Sequence, residues 1–193
     1  MSRQRQSSPT QRSSLHVEPH GLYQTSQHYV GDLVYGANDG ILTTFAVVAG
    51  VTGGALSSQA VIILGVANLF ADGLSMGVGS YLSIRARESA LEHQRRPEEE
   101  AQPARHGLAT LFAFVVAGAV PLLPYLASSV DHRFQLAVIC ALGVQFGVGA
   151  ARSFVTASRW WVSGLEMLVL GALVATVAYG TGAGIASMIQ SGT

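Results

Sequence analysis

The sequence has no lysine; its eleven basic residues are all arginine. Charged residues make up only 11% of the chain, against roughly 25% in soluble domains. That scarcity argues against an ordinary soluble fold. The formal net charge is zero and no basic stripe is present, so nucleic acid is not an expected partner. The single cysteine, Cys140, sits in an apolar stretch. It excludes an internal disulfide framework and reads as a small buried apolar residue. The six histidines all fall in the N-terminal tail, in loops or at the ends of apolar runs. No H-E-x-x-H pattern occurs. An enzyme is not expected, nor any catalytic residue or bound cofactor.

Long apolar segments are what the chain does have. Apolar residues make up 49%, glycine occurs 22 times and the mean hydropathy is +0.38. At 193 residues the expectation is one domain. Charge is confined: residues 85–106 hold ten of the 22 charged residues, whereas only Asp39 and Asp72 are charged between Leu33 and Ile84. About 20 apolar residues carry a helix across a bilayer. Five spans follow, at about 33–55, 60–84, 108–127, 134–154 and 162–189. The expected fold is an all-α integral membrane protein, a five-helix transmembrane domain over 31–190 with 85–106 as a short charged loop. The short links at 53–59 and 128–133 make neighbouring spans antiparallel. Residues 1–30 read as a polar, disordered tail, with no apolar core of signal-peptide length. His16, His20 and His28 are read as incidental histidines of that tail. With the N-terminus in the cytoplasm, ten arginines lie on that side and only Arg133 lies opposite, as the positive-inside rule requires. The C-terminus then lies on the far face, and Trp160 and Trp161 sit at the cytoplasmic interface.

The polar exceptions inside the spans carry the functional signal. Intramembrane carboxylates are costly, face the protein interior or a water path, and are functional candidates by default. Asp39 is one; Asp32 lies seven residues earlier, on the same helical face and nearer the cytoplasm. Asn68, Asp72 and Met76 recur at i, i+4 and i+8, which makes one stripe on a helix. Carboxylate, amide oxygen and thioether together read as cation ligands, with the soft sulfur favouring Fe²⁺, Mn²⁺ or Co²⁺ over alkali ions. Glu166 begins the fifth span and is a candidate for lining the cytoplasmic entrance. Gln145 reads as a buried amide joining helices. Small residues repeat at spacing four in Gly36/Gly40, Gly73/Gly77, Ser75/Gly79, Gly143/Gly147 and Gly180/Gly184, a pattern that lets membrane helices approach closely.

Three segments resemble the vacuolar iron transporter family. They are Asp39-Gly40-Ile41-Leu42-Thr43-Thr44-Phe45-Ala46-Val47-Val48-Ala49-Gly50, Leu74-Ser75-Met76-Gly77-Val78-Gly79-Ser80-Tyr81-Leu82 and Trp161-Val162-Ser163-Gly164-Leu165-Glu166-Met167. The resemblance covers about residues 28–188. It implies a five-helix homodimer with the ion path at the two-fold interface, exporting Fe²⁺ and, in some members, Mn²⁺ from the cytoplasm by proton antiport. It places Asp39 and Met76 on the family's metal-path aspartate and methionine, and Asp32 on its cytoplasmic-side aspartate. Plant members carry glutamate where this chain has Asn68 and a small residue where it has Asp72. The long glutamate-rich cytoplasmic domain of those members is replaced here by residues 85–106. Glu88, Glu92 and His93 are candidates for a vestigial loading site, and Glu98-Glu99-Glu100 after Pro97 reads as a solvated loop.

The expected function is proton-coupled export of Fe²⁺, Mn²⁺ or both, with the metal ion as substrate and the bilayer and a second copy as partners. A pH-independent metal channel and a non-transporting membrane sensor are the alternatives. The arginine-only basic set and abundant alanine and glycine favour a bacterial cell membrane, with a vacuolar or other endomembrane as the alternative.

Overall fold

The computed structural model describes residues 14–15, 21–127, 132–153 and 158–192. His16, His20, most of the tail, Phe154 and most of the 128–133 link lie outside them. The described residues are helical, apart from connections and one isolated bridge between Ser14 and Glu98. In order, the helices are α1 (Leu22–Gly53), α2 (Ser58–His93), α3 (Pro103–Ala119), a 3₁₀ turn (Val120–Leu122), α4 (Leu123–Leu126), α5 (Arg133–Arg152) and α6 (Trp160–Ser191). Five stretches are long and apolar enough to cross a membrane, with α3, the turn and α4 forming one of them. The all-α, five-span, multi-pass architecture expected from sequence is what the chain adopts.

Element ends have local causes. Ser57 caps α2, its hydroxyl accepting the Ala60 N–H at 3.3 Å, and Pro103 opens α3 where its missing N–H costs nothing. The two N-terminal helices stop in the same way. Ala55 and Arg95 take left-handed φ values of 55° and 54°. Leu56 N–H then reaches back to Val51 O at 3.1 Å, and Arg96 N–H to Leu91 O at 2.9 Å. Both are Schellman closures without the usual glycine.

Three boundaries differ from expectation. α1 starts at Leu22 instead of about residue 33, so His28 is helical. α2 runs on to His93, because nothing between Arg85 and His93 breaks a helix, and α3 begins at Pro103. The charged segment 85–106 is thus mostly helix, with only 94–102 connecting. At 36 residues, α2 is about 54 Å long, well beyond a hydrocarbon core of about 30 Å; its charged end projects from the bilayer. The third span is interrupted near Val120, where Pro121 and Pro124 remove backbone donors.

α1 is the central helix, packed against α2, α3, α5 and α6. Its Ile41, Phe45 and Val48 meet Leu69 of α2, Phe114 of α3 and Ala137 and Ala141 of α5 in one buried cluster. Glycine permits the closest approach. A Cβ at Gly36 or Gly40 would run into the backbone of Thr110 or Phe114, so α1 and α3 touch main chain to main chain. Gly77 abuts the backbone of Gly107 on α3, whereas Gly73 meets the side chains of Leu111, Phe114 and Val115. Gly79, Gly143, Gly147, Gly180 and Gly184 have open space at the Cβ position, and close packing within this chain does not explain them.

Candidate metal path and its charged mouth

The site residues fall along the α1–α2 seam in three levels. The outermost is a cavity of about 530 Å³ at the charged end of the bundle, lined by Asp32 and Tyr35 of α1 and by Ser75, Met76, Gly79, Ser80, Ser83 and Ile84 of α2. One helical period places Met76 and the serines on one side of α2, facing Asp32. The cavity offers a carboxylate, a thioether and several hydroxyls.

The second level is the acid pair. Asp39 lies seven residues beyond Asp32 on the same α1 face, half-buried, and Asp72 is the charged group that acts on it. Thr43 Oγ1 donates to the Asp39 carbonyl at 2.9 Å. The neighbouring Asn38 Oδ1 accepts from Gln145 Nε2 at 2.7 Å. Gln145 is 1% exposed and joins α5 to α1, as a helix-joining amide should.

The third level lies toward the α1–α2 hairpin. A cavity of about 580 Å³ there is lined by Ala46, Val47, Gly50, Val51, Leu56, Leu64, Asn68 and residues of α6 including Thr181. Asn68 Nδ2 is buried without a hydrogen-bond partner. The stripe Asn68–Asp72–Met76 thus links both cavities through the acid pair.

Other candidates stand apart in the single chain. Glu166 is 58% exposed and pairs with Arg152 at 2.9 Å, beside an apolar depression formed by Val162, Leu165, Val169 and Leu170. Glu88 braces the 94–102 connection, accepting the N–H of Glu99 at 3.1 Å and of Glu100 at 2.8 Å. Glu92 and His93 are exposed on α2.

The connection is not the solvated loop expected from Glu98-Glu99-Glu100. Glu99 pairs with Arg87 and lies 3.9 Å from Arg96. Glu100 is 15% exposed and faces two histidines, His28 of α1 at 3.3 Å and His106 of α3 at 3.0 Å. His106 Nδ1 lies 2.6 Å from Asp32 Oδ2, and Thr110 Oγ1 donates to Asp32 Oδ1 at 3.4 Å. Asp32 is therefore shared between the outer cavity and a histidine–glutamate cluster that sequence reading missed. The available signal was two i, i+4 pairs at facing helix ends, His28/Asp32 and His106/Thr110.

Comparison with known proteins gives the family. The model of the VIT family matches residues 30–102 and 90–183. Vacuolar iron transporter 1 of Eucalyptus grandis is 26% identical over 225 aligned residues, covering 86% of this chain and 89% of that protein. Vacuolar iron transporter 2 of Oryza sativa subsp. japonica is 26% identical, covering 91% and 92%. The vacuolar iron transporter of Toxoplasma gondii (strain ATCC 50861 / VEG) reaches 44% identity, over 44% of this chain but only 27% of its own length. With a family match running through most of the spanning helices, the chain belongs to the VIT family.

Proposed function

We propose that this protein exports Fe²⁺, Mn²⁺ or both from the cytoplasm in exchange for protons, as a homodimer in a bacterial cell membrane with its N-terminus inside. The observation that carries this reading is the pair of carboxylates inside the spanning helices, Asp39 on α1 and Asp72 on α2, with the cavity lined by Asp32 and Met76 between the same two helices. An isolated carboxylate in hydrocarbon is costly. Two such carboxylates reach neutrality either by binding one divalent cation or by taking two protons, which is the exchange an antiporter performs. Met76 biases the site toward transition metals, because hard ions such as Mg²⁺ and Ca²⁺ prefer all-oxygen shells. Names of the relatives support metal as cargo. The arginines at the charged end favour its cytoplasmic placement.

The test is metal uptake into proteoliposomes, with Fe²⁺ and Mn²⁺ offered separately and lumenal pH varied. Uptake that rises with an acidic lumen is expected. Uptake indifferent to pH would replace the antiporter with a channel. No uptake of either ion by folded protein would favour a sensor or scaffold.

A further inference from the structure

We propose that His28, Glu100 and His106 form a divalent transition-metal site at the charged mouth of the bundle. One ligand atom from each lies within 4.8 Å of the others. They come from three separate elements: α1, the 94–102 connection and α3. Two imidazoles and one carboxylate suit Fe²⁺, Mn²⁺, Co²⁺ or Zn²⁺ far better than Mg²⁺ or Ca²⁺.

The cluster is built for a cation. Asp32 Oδ2 lies 2.6 Å from His106 Nδ1, so Nδ1 carries the proton that it donates there. A metal would bind at Nε2, which faces the cluster. His106 is 9% exposed and its Nε2 makes no hydrogen bond, although Glu100 Oε2 is 3.0 Å away. A carboxylate backing a histidine, with the far nitrogen left for a metal, is the usual outer-shell arrangement of metal sites. Glu100 is held equally firmly. Its Oε1 accepts the Gln102 N–H at 2.8 Å, and its own N–H goes to Glu88 at 2.8 Å. Its Oε2 faces both imidazoles. Glu88 therefore acts as a brace for the site and not as one of its ligands.

Because Asp32 also lines the outer cavity, an ion here sits one residue away from the path. That placement rests on the transport reading; metal binding itself does not. The site would also tie α1, the connection and α3 together when filled.

The test uses the full chain in detergent micelles, with Co²⁺ as the probe and visible absorption as the readout, in excess Mg²⁺. Wild type is expected to bind Co²⁺ with a spectrum of mixed nitrogen and oxygen ligation. His28→Ala and Glu100→Gln should each weaken that binding by about tenfold or more, with unchanged elution in size-exclusion chromatography. The part of the spectrum lost in His28→Ala and Glu100→Gln should persist in Asp39→Ala, which removes a carboxylate of the separate intramembrane site. Glu100→Gln is near-isosteric and His28 is the most exposed ligand, so the two guard against a folding defect. Absence of a Co²⁺ spectrum in wild type, or an unchanged spectrum in both variants, would overturn the site. Metal flux without this Co²⁺ binding would leave the transport reading standing and remove only the site; binding without flux would do the reverse.

Discussion

Asp39 and Asp72 are placed where a charge has least solvation, and their function follows from what neutralises them. Asp39→Ala should lower metal flux by about tenfold or more, as loss of a metal ligand or its support generally does, while membrane insertion is unchanged. Met76→Ala should reduce flux less, and should shift preference toward harder ions because the soft donor is gone. Initial uptake rates with Fe²⁺ and Mn²⁺, normalised to protein incorporated, check both. Normal flux in Asp39→Ala would remove Asp39 from the path. The stripe on α2 gives a second prediction. Asn68 and Asp72 lie one turn apart on one face, so Asn68→Glu combined with Asp72→Gly should retain much of the activity. A folded but inactive double variant would show that the charge must stand opposite Asp39. These residues were legible in sequence because carboxylates are rare and costly in a span. Glu100 was not, because three consecutive glutamates after a proline look solvated until the chain folds Glu100 against His28 and His106.

Helix α1 makes its closest contact through glycine, which yields a contrast between two substitutions. Gly40→Ala puts a methyl group into the backbone of Phe114 and forces α1 away from α3. It should cost about 1–3 kcal/mol, the usual range for overpacking. Gly143→Ala meets nothing within 4 Å and should leave stability nearly unchanged. Thermal unfolding of the two variants in the same detergent checks the pair; equal destabilisation would mean that the open space at Gly143 is filled in the folded protein. Both glycines belong to the same kind of spacing-four motif, and sequence could not separate them. Which face of a helix meets a neighbour is a property of the packed bundle. The broken third span was written in Pro121 and Pro124, and the long α2 in the lack of any breaker before His93.

For the whole molecule, large apolar side chains such as Ile63, Phe70, Leu74, Leu173 and Val177 are at least 59% exposed, which suits contact with lipid or with a second copy. The homodimer reading predicts twice the chain mass by light scattering in mild detergent. A strictly monomeric, active protein would remove the two-fold path and leave transport to the α1–α2 seam of one chain.

Span number, helical class, the intramembrane acids and the family resemblance all followed from sequence, because each depends on local hydropathy or on spacing within one helix. The tertiary structure decided the rest. It gave Met76 and Asn68 to different cavities, turned Glu88 into a brace, and brought His28, Glu100 and His106 together. These are contacts between helices, and the register between helices is set by the close glycine contacts of α1 and α3 and by the closing turns at Ala55 and Arg95.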